Sequence, residues 1–129
     1  MSDNQLITLS KQFAVDMIQL CDAMKTRGKA TAIISQLLRS GTSIGANIHE
    51  ANYASSKADF INKFQIALKE CYETDYWIGV FREAGILSKD EYDKTFAQCS
   101  KIRKLLIASV TTAKQNMEKQ HRLVQEENL

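Results

Sequence analysis

Apolar residues recur every three or four positions along most of the chain, which is the spacing that places side chains on one face of an α-helix. The first such stretch begins at Leu6 and ends at Met24, and the polar segment 26–29 follows it. Gly28 in that segment suits the position just past a helix end. Three further stretches follow and no strand pattern occurs, so the sequence predicts an all-α fold, an antiparallel up-down-up-down four-helix bundle.

The second stretch places two glycines beside its apolar stripe. Gly41 and Gly45 lack the side chain that would hold another helix away, so we interpret them as points of close packing. A phosphate-binding glycine loop would instead follow a strand. The predicted core residues of this helix are Ile33, Leu37, Ile44, Ile48 and Ala51.

Two serines mark the starts of the third and fourth helices. Ser56 precedes Asp59 by three residues, so its hydroxyl can accept a hydrogen bond from a free backbone N–H group. Ser88 precedes Glu91 by the same interval, which is the spacing of a capping box. Both pairs predict helix N-termini.

Length and composition agree with one domain, because 129 residues without proline leave long helices unbroken. The first residues lack the basic and apolar regions of a secretion signal, and no stretch has the length of a membrane span. We therefore expect a cytoplasmic protein without a membrane partner. The apolar stripe fades after Met117, which predicts a bundle over residues 1–118 and a polar extension over 119–129 that frays in solution.

Residues suited to catalysis or metal binding are scarce. Cys21, Cys71 and Cys99 lie on predicted core stripes, which favours buried thiols over disulfides or nucleophiles. The one Glu-x-x-His spacing, Glu118 to His121, falls in the polar extension, so a di-metal carboxylate enzyme is the most distant alternative. We expect no catalytic residue, no metal and no cofactor.

The third helix carries apolar residues outside its core face. Ile66, Trp77 and Val80 project away from the main apolar arc, and exposed apolar stripes of this kind favour self-association. Asp75 projects near the centre of that arc, where an unpaired charge is costly. Either a basic side chain reaches Asp75, or the phase assigned to the helix is wrong.

The fourth helix contains a run of five cations with no acidic residue between the first and the last. Such a run can contact phosphates, and its alternative is an ordinary solvated face. The run shows no interleaved aromatic pattern that would support base stacking. The candidate nucleic-acid-binding residues are Lys94, Lys101, Arg103, Lys104 and Lys114.

The segment SGTSIGANIHEA, over residues 40–51, resembles the signature of the four-helix-bundle family named after the 23S rRNA intervening-sequence protein. The similarity continues through SSKADF, IALKE, ETDYWI and GIL, and it covers roughly residues 33–106. Two positions differ from the family pattern. Ala51 follows the glutamate where many members have glycine, and Ala67 replaces a serine.

The resemblance implies a homo-oligomer, typically a barrel-like pentamer with a basic surface, and no known enzymatic activity. A retroelement-associated relative, the accessory variability determinant, binds nucleic acid and works with a reverse transcriptase. The family motif falls on the outer face of the second helix or beside it, where we interpret its residues as subunit contacts. These residues are Arg39, Ser43, Asn47 and Glu50.

Two functional hypotheses lead. In the first, the chain is a non-enzymatic, oligomeric accessory protein that contacts RNA or DNA phosphates without reading sequence. In the second, the same oligomer is a scaffold that holds another protein and binds no nucleic acid.

Overall fold

The computed structural model describes the backbone of residues 2–129 and the side chains of residues 4–129. Its helices are α1 (Ser2–Lys25), α2 (Thr31–Ala51), α3 (Lys57–Glu83) and α4 (Lys89–Glu127). Each of α1 and α3 packs against both α2 and α4, so the four helices stand at the corners of a square around one core. The all-α four-helix bundle predicted from the sequence is confirmed.

Residue pairs between neighbouring helices occur in opposed sequence order. Along the seam of α2 and α3, Arg39 meets Glu70, whereas Glu50, later in α2, meets Lys63, earlier in α3. The same opposed order relates α1 to α2 and α3 to α4. This is the pairing order that antiparallel neighbours give.

Buried residues of α2 follow its predicted stripe with one shift of phase. The side chain of Ile34 is fully buried, whereas that of Ile33, the predicted core residue, is 45% exposed. Ala30 takes a left-handed conformation immediately before α2. The remaining predicted core residues of α2 are buried, as are all three cysteines.

The serine and glycine residues in the sequence predicted the helix ends correctly. The Ser56 hydroxyl accepts from the Asp59 N–H at 3.0 Å. The Ser88 hydroxyl accepts from the Glu91 N–H at 3.1 Å, while the Glu91 carboxylate accepts from the Ser88 N–H at 2.9 Å, which completes the capping box. Gly28 follows α1 with φ +72°.

The α1–α2 seam depends on the absence of side chains at two positions. A Cβ at Gly41 would lie 2.6 Å from Cγ of Met17, and a Cβ at Gly45 would lie 3.0 Å from the Ser10 carbonyl oxygen. Both distances are too short for a relaxed contact. The close-packing interpretation of these glycines is therefore confirmed.

The fourth helix continues beyond its predicted end. It has 39 residues, against 27 in α3, and it is unbroken through Glu127. Lys57, the first residue of α3, is hydrogen-bonded to Gln120. The last turns of α4 therefore extend past the N-terminal end of α3. The polar extension 119–129 is thus mostly helical with exposed side chains, and its fraying in solution stays a prediction.

Candidate nucleic-acid interface

The predicted cations of α4 are mostly solvent-exposed. Lys94, Lys101, Lys104 and Lys114 are all exposed, and none forms an ion pair with a side chain among residues 4–129. The core residues of α4 lie on the opposite face, because Ile102 and Leu106 are buried in the bundle. These four lysines are therefore available to a ligand.

Two further cations continue the same face. Lys119 follows Lys101 by 18 residues and Arg122 follows Lys104 by the same interval, which is five helical turns or about 27 Å. Both are exposed. We call Lys101, Lys104, Lys119 and Arg122 the α4 strip. The sequence interpretation missed its second half because it ended the helix at residue 118, although the 18-residue spacing was visible.

Two predicted cations differ from the strip residues in position or surroundings. Lys114 is rotated about 80° round the helix from Lys104, towards the side that faces α3. Lys94 precedes Lys101 by two turns on the same face, but it lines a groove of about 310 Å³ between α1 and α4, in which Asp16 and Glu91 are also present. Neighbouring carboxylates make Lys94 a poorer phosphate ligand than the strip residues.

Arg103 does not belong to the available cations. Its Nη1 donates to Oδ2 of Asp75 at 2.6 Å, and its Nη2 donates to the Ser100 hydroxyl at 3.1 Å. The guanidinium also lies over the rings of Tyr72 and Phe96, with its Cζ 5.7 and 5.9 Å from their centroids. The predicted phosphate ligand is thus held inside its own chain, and it is the basic partner that Asp75 required.

The pairing leaves Asp75 only half satisfied. Its Oδ1 is buried and has no hydrogen-bond partner among the described residues. The nearby Cys99 thiol donates to the Cys71 carbonyl at 3.6 Å. Burial therefore raises the pKa of Asp75, although the positive charge of Arg103 and an interaction with the Cys99 thiol act in the opposite direction.

The predicted subunit-contact residues on α2 are engaged within the chain. Arg39 forms salt bridges with Glu70 and Glu73, and Glu50 is paired with Lys63 at 3.1 Å. Ser43 and Asn47 donate to backbone carbonyls of α2 one turn earlier. Arg39 and Glu50 thus join α2 to α3, and any role of the four residues in subunit contact stays a prediction.

The off-core residues of α3 are only partly exposed. Trp77 packs against the core, and its Nε1 donates to Glu73 at 3.1 Å. Ile66 and Val80 are also half-buried. These three residues present less apolar surface to a second subunit than the sequence suggested.

Three exposed aromatic rings lie on α3 and α4 outside the predicted site residues. Tyr72 and Tyr76 on α3 are 53% and 63% exposed, and Phe96 on α4 is 38% exposed. We call these three side chains the aromatic platform. Sequence reasoning missed it because two of its rings belong to a different helix from the cations, and only the packing of α3 against α4 brings them together.

Other ligand chemistries find little support in the described part of the chain. Glu118 and His121 are exposed near the end of α4, and no three potential metal ligands gather among the described side chains. Within residues 2–129, none of the helices has both the length and the apolar content needed to cross a bilayer.

Fold and surface together define a four-helix-bundle protein with one long cationic helix. A model of the 23S rRNA-intervening sequence protein family matches residues 2–108, and the chain belongs to this family. A solved structure of a protein of unknown function from the S23 ribosomal protein family of Bacteroides thetaiotaomicron VPI-5482 is 41% identical, with a TM-score of 0.84. The match covers 86% of this chain and 99% of that one. No curated protein matches the chain.

Proposed function

We propose that this chain is a non-enzymatic protein that binds RNA or DNA through phosphate contacts made by the α4 strip. The observation that carries the proposal is the set of four exposed cations on one face of α4, arranged as two pairs about five turns apart and without ion-pair partners among the described side chains. The acidic residues of α4 lie mainly at its two ends, and Glu118 is the one acidic residue between Asp93 and Glu126, the stretch that contains the strip.

Phosphate binding is the chemistry that such a row favours. Lysine side chains on a helix spread their charges along one line, and each phosphate that they neutralise releases counterions. Four contacts would give a logarithmic salt slope of about −3.6 with a duplex. Because these contacts touch no base edge, the binding carries no direct sequence preference.

Self-association is part of the proposal. The family resemblance implies a homo-oligomer, typically a pentamer, and every added copy would supply another α4 strip. Repeated strips raise the apparent affinity for a long polyanion without any new contact. The phosphate contacts do not require a particular number of subunits.

The test compares two variants that lose the same charge. The first replaces Lys101, Lys104 and Lys119 with glutamine, and the second replaces Lys11, Lys25 and Lys29, which are exposed and lie outside α4. We expect the strip variant to lose at least tenfold in affinity at low salt and about three units of salt slope. The second variant should retain both.

Mass-resolved size-exclusion chromatography over a salt series measures the oligomer and the complex together. Equal losses in the two variants would mean that only net charge matters, and the strip would then have no special role. A wild-type protein that binds no nucleic acid at low salt would contradict the proposal. The protein scaffold would then be the better hypothesis, supported by the exposed apolar side chains of Ile18, Tyr53 and Leu123.

A further inference from the structure

The aromatic platform lies next to the cations of α4. Tyr72 and Tyr76 are one turn apart on α3 and share a face of the helix. The rings of Tyr72 and Phe96 both contact the guanidinium of Arg103. Lys104 lies eight residues along α4 from Phe96 and about 80° round it, so the cationic strip and the platform occupy adjoining faces of the helix.

Arg103 holds two of the rings in place. Its guanidinium lies between an α3 ring and an α4 ring, and the ion pair with Asp75 fixes the guanidinium in turn. A ring that is already ordered loses little conformational entropy when a ligand stacks on it. Phe96 is also stacked on Tyr92, and Tyr76 lies edge-on to Trp77. The exposed ring surface is therefore mainly that of Tyr72 and Tyr76, and their neighbours largely preorganise it.

We propose that the aromatic platform stacks the bases of a single-stranded nucleic acid whose phosphates lie on the α4 strip. This inference rests on the proposed function and adds a preference for single strands. Aromatic side chains beside a cationic track are the combination that binds single strands without sequence preference. Bases within a regular duplex are already paired and stacked, so a duplex can use only the strip.

The test separates base stacking from phosphate contact by changing the protein and the ligand independently. The variant Tyr72→Leu/Tyr76→Leu keeps apolar side chains but removes the two platform rings that α3 contributes. The ligands are an unstructured homopyrimidine strand, the same strand as a sugar-phosphate chain without bases, and a matched duplex. Tyr53→Leu is the control, since Tyr53 is 78% exposed and lies between α2 and α3.

We expect the leucine variant to bind the homopyrimidine strand about tenfold more weakly than the wild type, as the loss of base stacking predicts. Its affinity for the baseless strand and for the duplex should stay unchanged, and Tyr53→Leu should behave as the wild type. Tyr72→Phe/Tyr76→Phe should retain the affinity, because phenylalanine keeps the stacking face. The unchanged duplex affinity of the leucine variant would show that its loss does not reflect misfolding.

Two other results would overturn the inference in different ways. Equal wild-type affinity for strand, baseless strand and duplex, with loss only in the lysine variant, would reject stacking and leave the proposed function intact. Failure of the wild type to bind any of the three ligands would reject the proposed function and the inference together.

Discussion

Helix α3 is joined to each of its neighbours by an arginine, and the two junctions differ in their surroundings. On the α2 side, Arg39 reaches Glu70 and Glu73 with its own side chain 47% exposed. On the α4 side, Arg103 reaches Asp75 where both side chains are less than one-fifth exposed. The arginine–carboxylate pair is therefore solvated at the α2–α3 seam and largely shielded from water at the α3–α4 seam.

The carboxylates respond in opposite directions. The hydrogen bond from Arg39 lowers the pKa of Glu73, and a second hydrogen bond from Trp77 acts in the same direction. Burial raises the pKa of Asp75 in spite of Arg103. Proximity to an arginine therefore does not by itself stabilise a carboxylate, because the cost of desolvation decides the balance.

The largest effect should come from Arg103→Met, which leaves Asp75 buried without its cation. We expect a loss of about 3 kcal/mol in the free energy of unfolding at neutral pH, at the lower end of what a broken buried pair costs. Chemical denaturation with helix content as the signal measures this loss. Lowering the pH should reduce the loss, because a protonated Asp75 no longer carries an uncompensated charge.

The double variant Asp75→Asn/Arg103→Met is the control for this prediction. It removes the buried charge that the single variant leaves unpaired, so it should recover about half of the lost stability. If the double variant were as unstable as Arg103→Met, most of the loss would come from the packing of the arginine against Tyr72 and Phe96, and the ion pair would matter little.

The side chain of a third arginine, Arg27, has an exposed fraction between those of Arg39 and Arg103. Arg27, in the connection between α1 and α2, donates to both carboxylate oxygens of Glu91 at 3.0 and 2.7 Å. Glu91 also completes the capping box of α4. The hydrogen bonds from Arg27 lower the pKa of Glu91 to about 2. One side chain thus joins the start of α4 to the far end of α1.

Glu91→Gln should cost about 1 kcal/mol near neutral pH, because glutamine preserves the capping acceptor but removes the charge. The folded-state pKa lies below that of the unfolded chain, so the charge stabilises the fold above about pH 4.5 and its contribution disappears as the pH falls towards about 2. The free energies of unfolding of the wild type and Glu91→Gln, measured by denaturation, should therefore converge as the pH is lowered from about 4.5 to about 2. Asp93→Asn, in the exposed pair with Lys89, is the control and should change little. A constant difference across this range would show that the charge of Glu91 is not responsible.

Features that depend on neighbouring residues were predicted well, whereas those that depend on contacts between helices were not. Ser56 and Ser88 cap their helices as the sequence indicated, because each cap is complete within four residues. Asp75 and Arg103 are 28 positions apart on two helices. The packing of the bundle determines which cation lies beside Asp75. The same limitation made Arg103 look like a phosphate ligand and concealed the aromatic platform. Polarity marked the outer face of α4 correctly, but could not show where the helix would end.

The smallest effect should come from Arg39→Met, although Arg39 contacts two carboxylates. Water solvates this junction, and Glu73 would keep its hydrogen bond from Trp77, so we expect a loss of about 0.5 kcal/mol. Salt should reduce the difference further, because the Debye length falls to about 3 Å at 1 M ionic strength. The measurement is denaturant unfolding of wild type and Arg39→Met at low and high salt, beside Arg103→Met as the buried comparison. The loss in Arg103→Met should change little with salt. A loss above about 2 kcal/mol for Arg39→Met would mean that the outer junction is shielded from water, as subunit contact on α2 would cause.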